Sequence, residues 1–398
     1  MIRWREGEVV GERARWGDAV EIEVRLGRSA HPSLPVLDAG RARAAGPDVA
    51  GTEGLPRPVV RALAYTSVTG EPRVGDRVLL NTNALDNELG TGGVAMVVAL
   101  PDRLPDDRPD AADPGERGHL VKARYTPLQT MVFGVDEQDS PHHEVLSEVG
   151  ELAGMPVVVA DLHSSLPAVL AGLRERAPRA RAAYLMTDGG ALPAAFSRTC
   201  AVLRESEWLA AVVSCGQAYG GDYEAVNAYS GLLAARHVVG ADVVVVAQGP
   251  GNLGTGSTWG FSGVSAGEAL NAAAALGGTG VAALRVSGAD PRERHRGISH
   301  HSRTAYCRVL NRPADLPIPL LEGHPGIDQA LAHQVARQAE ELCAAGPHLV
   351  RHDIGLEGLG EVLEHTPVRL STMGRGLDQD PAAFLAAAAA GRHAAHLL

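Results

Sequence analysis

The sequence predicts an α/β protein: a doubly wound, mostly parallel sheet preceded by a small β-rich domain of barrel or sandwich type. Two observations carry this. From about residue 140 onward, short and continuous apolar runs alternate with helical stretches; before it, turn-bounded strands follow one another without helices. A third is length, since 398 residues is more than one core usually organises. The implied domains are residues 1–135 and 140–398.

In the first domain, EGEVVGERARWGDAVEIEVRL reads as a hairpin turning at Trp16-Gly17-Asp18. RALAYTSVTG, DRVLLNTNA, GGVAMVVALP and HLVKARY follow as short strands bounded by Gly, Asn and Pro. Residues 28–60, rich in Pro, Gly, Ala and Arg, and residues 101–118, a Pro/Asp run, read as flexible insertions. Ser140-Pro141 then opens a helix, with Ser as N-cap and Pro at the first position. Strands are expected at 155–161, 181–188, 209–215, 241–248 and 280–290, with a last one at 366–374. Their apolar runs do not alternate, as befits parallel strands covered on both faces. Helices are expected at 165–177, 191–206, 222–239, 266–276, 300–311, 327–345 and 381–395.

Composition narrows the function. A formal charge of −11 gives no basic field to hold a nucleic acid. The four cysteines, Cys200, Cys215, Cys307 and Cys343, lack C-x-x-C spacing, which argues against a disulfide framework or a structural zinc site. The start MIRWREGEVV is too charged for a signal peptide, and Arg236, His237 and Asp242 interrupt the most apolar stretch. A soluble, cytoplasmic protein without a membrane partner is expected. One bias stands out: Lys122 is the only lysine among 36 basic residues. A lysine kept in such a chain reads as a position that needs a compact ammonium rather than a guanidinium fork, beside the plainer reading of a chance survivor on a solvated strand edge.

Ligands of open parallel sheets bind outside the carboxyl ends of the strands. Those ends carry Asp161 and His163, then Asp188, Gly189 and Gly190, then Cys215, Gly216 and Gln217. The series continues with Gln248 through Gly256, Ser287 through Asp290, and Ser371 through Gly376. Polar groups with tight-turn residues let backbone N–H groups approach an anion. Gly249, Gly251 and Gly254 match G-x-G-x-x-G, but an irregular segment containing Thr255 follows where a dinucleotide fold needs an immediate helix. An anion-binding nest is therefore favoured over an NAD or flavin site, beside a purely structural loop. Ser265 fits G-x-S-x-G, yet with Glu268 it reads better as a capping box. Cys215 reads as a buried small hydrophobe before a nucleophile.

Arg294, His295 and Arg296, then His300 and His301, form a cationic and imidazole-rich segment able to bind anions and exchange protons. Asp161 and His163 with Asp188 are a possible ligand set for a metal, against the plainer reading of the acids as helix caps.

HLVKARYTPLQ, LNTNALDNELGTGG, MTDGGALP, GPGNLGTGSTWGFSG, RHRGISHHSRTA and STMGRGLDQDP resemble the signature segments of a bacterial domain-of-unknown-function family, over nearly the whole chain. The resemblance implies that Lys122, Asp188, Gly249, Gly251, His295, His300 and His301 belong to a shared pattern; it assigns them no role. It also implies that the two Pro-rich stretches are longer than the family usually has.

The function expected first is a hydrolase or transferase for an anionic small molecule, phosphorylated ones included. Its acid–base and orienting groups would come from His163, His300, His301, Asp161, Asp188 and Lys122. Its ligand groups would be Gly189, Gly190, Gly249, Gly251, Gly254, Thr255, Arg294, His295 and Arg296. A non-catalytic ligand-binding or regulatory protein is the alternative, and a nicotinamide- or flavin-dependent oxidoreductase a further one. Cofactor, metal and oligomeric state are left open.

Overall fold

The computed structural model describes residues 2–27, 57–87, 93–105, 118–190 and 192–398. The two expected flexible insertions lie mostly outside these residues. The chain divides into two compact units, residues 1–111 and 112–398.

The first unit is a closed five-stranded barrel. β1 (Trp4–Trp16) and β2 (Ala19–Leu26) make the anticipated hairpin, with Trp16 opposite Ala19 and Gly17 at φ +51°. β3 (Val59–Tyr65) leads through a helical turn α1 (Thr66–Thr69) to β4 (Arg77–Asn81), and α2 (Asn83–Asp86) precedes β5 (Ala95–Ala99). The order is β1-β2-β3-β5-β4, and β1 also pairs with β4, which closes the barrel and removes its edges. Period-two alternation sends Val20, Ile22, Val24 and Leu26 into a core with Val60, Ala62, Val78 and Leu80.

The second unit opens with a hairpin, β6 (Leu120–Lys122) and β7 (Thr130–Val132), and a short helix α3 (His143–Glu148). Lys122, assigned from sequence to the β-rich region, thus lies in the larger unit. Ser140 does not cap α3: it donates to Val135 O and accepts from the His142 N–H, forming a turn before the helix.

The main sheet then takes β8 (Pro156–Val159), β9 (Ala182–Thr187), β10 (Ala211–Cys215), β11 (Tyr223–Ala225), β12 (Val243–Gln248) and β13 (Thr279–Ala282). A small antiparallel hairpin, β14 (Val286–Ser287) and β15 (Gly297–Ile298), precedes β16 (Ala314–Pro319) and β17 (Leu349–Ile354). All eight sheet strands are parallel, in the order β11-β10-β9-β12-β8-β13-β16-β17. The anticipated strand at 366–374 is instead a two-residue hairpin, β18 (Ser371–Thr372) with β19 (Arg375–Gly376), outside the sheet. The run 280–290 also breaks after Ala282, because the chain turns out of the sheet into β14.

The helices are α4 (Leu166–Arg176), α5 (Arg198–Glu205), α6 (Ala228–His237), α7 (Ser265–Ala275), α8 (His300–Thr304), α9 (Gln329–Ala345), α10 (Leu359–Glu364) and α11 (Pro381–His396). α4, α10 and α11 pack together on one face, where α11 crosses β8, β13, β16 and β17; α6 and α7 cover the other. α4 and α11 approach through glycines: a Cβ on Gly391 would fall 1.8 Å from Val169 O. The anticipated helix 222–239 starts late, because 223–225 pair as β11 and Asn227 caps α6 with its side chain. Segment 191–206 likewise begins with a turn, its helix starting after the N-cap Ser197. Segment 300–311 is α8 continued by a π-helical turn over Ala305–Val309.

From β8 the chain crosses to β9 through α4; from β12 it crosses to β13 through α7, on the opposite face. The crevice between β8 and β12 at their carboxyl ends is therefore a topological switch point.

Candidate functional site

Asp161 stands just past the end of the central strand β8 and is buried. Arg285 follows β13, the neighbouring strand, and its Nη1 lies 3.3 Å from Asp161 Oδ2. The β14–β15 hairpin carries the chain out and back, so that Ser299 N–H donates to Arg285 O at 2.9 Å. That return delivers the histidine segment to the strand ends. His301 Nδ1 sits 3.1 Å from Asp161 Oδ2 and 3.1 Å from Arg285 Nη1. His295 Nδ1 is 2.8 Å from Ser299 Oγ, which also accepts the His301 N–H. The rings of His295, His300 and His301 lie 4.4–4.9 Å apart. One ring nitrogen from each falls within 4.8 Å of the others.

Three histidines this close need an explanation, because protonating any one would repel the rest. The environment keeps two of them neutral. Burial first, then Arg285 and Arg292, lowers His295 to about 3. Burial, then His301 and Arg294, lowers His300 to about 4. Burial alone would raise Asp161, but Arg285 and His301 outweigh it and hold the carboxyl below its ordinary range. Neutral imidazoles around an ionised carboxylate are the state in which histidine binds a metal ion. In the tautomer that donates Nδ1–H to Asp161, His301 presents a bare Nε2, the carboxylate–histidine arrangement that orients metal ligands. His300 Nε2 is buried with no hydrogen-bond partner.

The glycine-rich segment walls this cluster. Gly254 bridges to Phe261, Thr255 N–H donates to Gly260 O at 2.8 Å, and Leu253 N–H donates to Ser262 Oγ at 3.0 Å. Those N–H groups are thus used within the loop. The loop lays the Phe261 ring flat on His301, centroids 3.8 Å apart, and brings Gly263 against Asp161. Gly256, at φ +82°, lies beside the exposed Arg294. Gly249 is buried against Met186 and Leu192, and Gly251 takes φ +100°. α7 begins only at Ser265, so the strand–glycine turn–helix unit of a dinucleotide site does not form here. Ser265 does not cap α7 either; it is the first helical residue, and its Oγ donates to Ser262 O.

Other sequence-selected residues lie apart. His163 is a core residue, Nδ1 bonded to Tyr184 Oη at 3.0 Å and Nε2 to Ser197 Oγ at 2.7 Å, and burial lowers it to about 4. Asp188 and Gly190 are exposed beyond β9, with Asp188 against Gly216. Gly189 makes room for Gln248, whose Oε1 would meet an added Cβ at 2.0 Å. Arg296 is exposed and its Nε donates to Asp290 O. Burial pushes the Cys215 thiol up to about 12, which leaves it unsuited to nucleophilic attack.

Lys122 is wholly buried. Its Nζ donates to Gly216 O at 2.7 Å and Ala218 O at 2.9 Å and pairs with Glu224 Oε2 at 3.3 Å. Two hydrogen bonds and one ion pair from a single ammonium thereby tie β6 to the segment after β10.

Two residues were missed from sequence. Arg285 interrupts the apolar run GVAALRV, and an arginine there is itself a signal. Phe261, one of four phenylalanines, gave none.

Fold and site define a parallel α/β protein with a histidine-rich centre at the switch point of its sheet. The chain belongs to the family described as "Protein of unknown function (DUF3866)", whose model matches residues 61–391. No curated protein and no solved structure matches it. Among the described residues, no helix is long and apolar enough to cross a membrane.

Proposed function

We propose that the protein is a metal-dependent hydrolase or transferase acting on a small anionic substrate at the carboxyl ends of β8, β12 and β13. The observation that carries this reading is the convergence of His295, His300 and His301, two of them kept neutral and two held by a second partner through Nδ1. Three imidazoles suit a zinc-like divalent ion and leave a position open. Such an ion supplies Lewis acidity at an oxygen of the substrate.

The chain's own groups divide the remaining work. Asp161 fixes the ring of His301, and Phe261 seals one side of it. Arg285 holds Asp161 ionised, and the exposed Arg294 places positive charge at the rim, where an anionic group of the substrate would dock. A purely regulatory ligand-binding protein needs no such convergence of histidines, which is why the enzyme reading is preferred.

The test is metal content. Chelator-stripped protein should take up Zn(II) or Co(II), read by native mass spectrometry and by a rise in thermal midpoint. His300→Gln should abolish uptake at this centre. Arg294→Ala should leave it intact and weaken binding of phosphate and simple phosphomonoesters. Uptake that is unchanged in His300→Gln removes the basis of the proposal.

A further inference from the structure

A second cluster lies within the span of the sheet, on the face covered by α11 and two strands from β8. Asp315 is on β16 and His352 on β17; because Pro317 is the residue opposite His352, Asp315 and His352 are diagonal neighbours on one face. His393, near the end of α11, comes down onto the same face. His393 Nε2 lies 2.7 Å from Asp315 Oδ2, and His352 Nε2 lies 3.2 Å from Asp315 Oδ1. The two imidazole centroids are 4.3 Å apart. One ligand atom from each residue falls within 4.8 Å of the other two.

A hydrogen-bonded Asp–His pair would account for Asp315 and His393 alone. It does not account for His352, whose Nε2 is buried, lies 3.2 Å from the same carboxylate and completes no hydrogen bond. A buried nitrogen left in that state is destabilising unless something else meets it. Two histidines and one carboxylate with their donor atoms turned to one point are a three-ligand set for a first-row divalent ion. Ligands about 2.0–2.1 Å from a tetrahedral ion stand about 3.3 Å from each other, close to the 3.2 Å between His352 Nε2 and Asp315 Oδ1. The His352 side chain is 35% exposed, which gives an ion a way in.

We propose that Asp315, His352 and His393 form a second divalent transition-metal site, separate from the switch-point centre, that clamps α11 to β16 and the edge strand β17. An edge strand gains most from such a clamp, because β17 is paired on one side only.

The experiment counts ions on the full-length chain. Chelator-stripped protein is reloaded with Co(II) or Zn(II), and bound metal is read by native mass spectrometry and by cobalt absorption in the visible. His352→Gln is the leading variant because its side chain is the least buried of the three; Asp315→Asn is the second, and both are compared with wild type in chelator to confirm folding. The expected result is one ion fewer per chain in either variant than in wild type. The metal-dependent rise in thermal midpoint assigned to this clamp should persist in His300→Gln and vanish in His352→Gln. If His352→Gln and Asp315→Asn bind as many ions as wild type, this site is refuted, whatever His300→Gln does. If His300→Gln changes nothing while His352→Gln loses its ion, the switch-point proposal fails and this one stands.

Discussion

Replacing Lys122 by Met removes one ammonium, leaving two carbonyls, Gly216 O and Ala218 O, without their donor and the Glu224 carboxylate without its cation. Both side chains are nearly inaccessible, at 2% and 8% exposure, so water cannot take over. Breaking a buried pair from one side costs about 3–5 kcal/mol, largely from the charge left behind. For the larger unit this lowers the thermal midpoint by on the order of 10 °C. The pH dependence follows from Glu224. Burial already raises its carboxyl above 4.5, with Lys122 opposing, and without Lys122 it rises further. A group with a raised folded value favours the protonated state in the fold. The deficit is thus full above that value and shrinks as pH falls toward 4.5. Lys122→Met with Glu224→Gln should recover much of the loss at neutral pH. Lys122→Arg should not match wild type, since the fork does not fit a site shaped for one nitrogen. Urea unfolding of the full chain across pH 4–8, with each variant, is the assay. A Lys122→Met deficit below about 1 kcal/mol, or Lys122→Arg equal to wild type, would refute the tether.

Two further outcomes are expected. In Gly263→Val the new Cβ falls 2.9 Å from Asp161 Cβ and must displace it. Divalent-ion affinity at the switch point should then drop about 10–100-fold, measured by calorimetric titration; unchanged affinity would mean Asp161 does not orient His301. His163 has a folded value of about 4 against an ordinary 6.5, so its contribution to stability is full above 6.5 and is lost as pH falls from 6.5 to 4. That loss is roughly 3 kcal/mol. His163→Gln should flatten this acid limb in denaturant midpoints, and profiles parallel to wild type would count against the assignment.

The parallel sheet was legible where burial is complete. VVVVAQ and AAYLMT are hydrophobic up to their last residue, and they became β12, buried throughout, and β9, buried up to Thr187. β16 and β17 were not legible, because ADLPIP carries two prolines and LVRHDI carries three ionisable residues. Yet the prolines fall inside a paired strand, and β17 sits at the edge with only Leu349 and Ile354 buried. Tertiary context overrode local preference there. The site divides in the same way. Sequence showed Asp161 and the histidine segment as reactive groups, but they meet across 140 positions through a strand order that no local pattern encodes.

His163 and His300 make the limit concrete. Both looked like acid–base candidates, and burial lowers both to about 4. Their partners set them apart. Tyr184 and Ser197 complete both nitrogens of His163, whereas His300 keeps a buried Nε2 with nothing to bond. Residue type and position were visible in the sequence, while completion of hydrogen bonding exists only in the fold. That completion separates a histidine that holds the core from one available to a ligand.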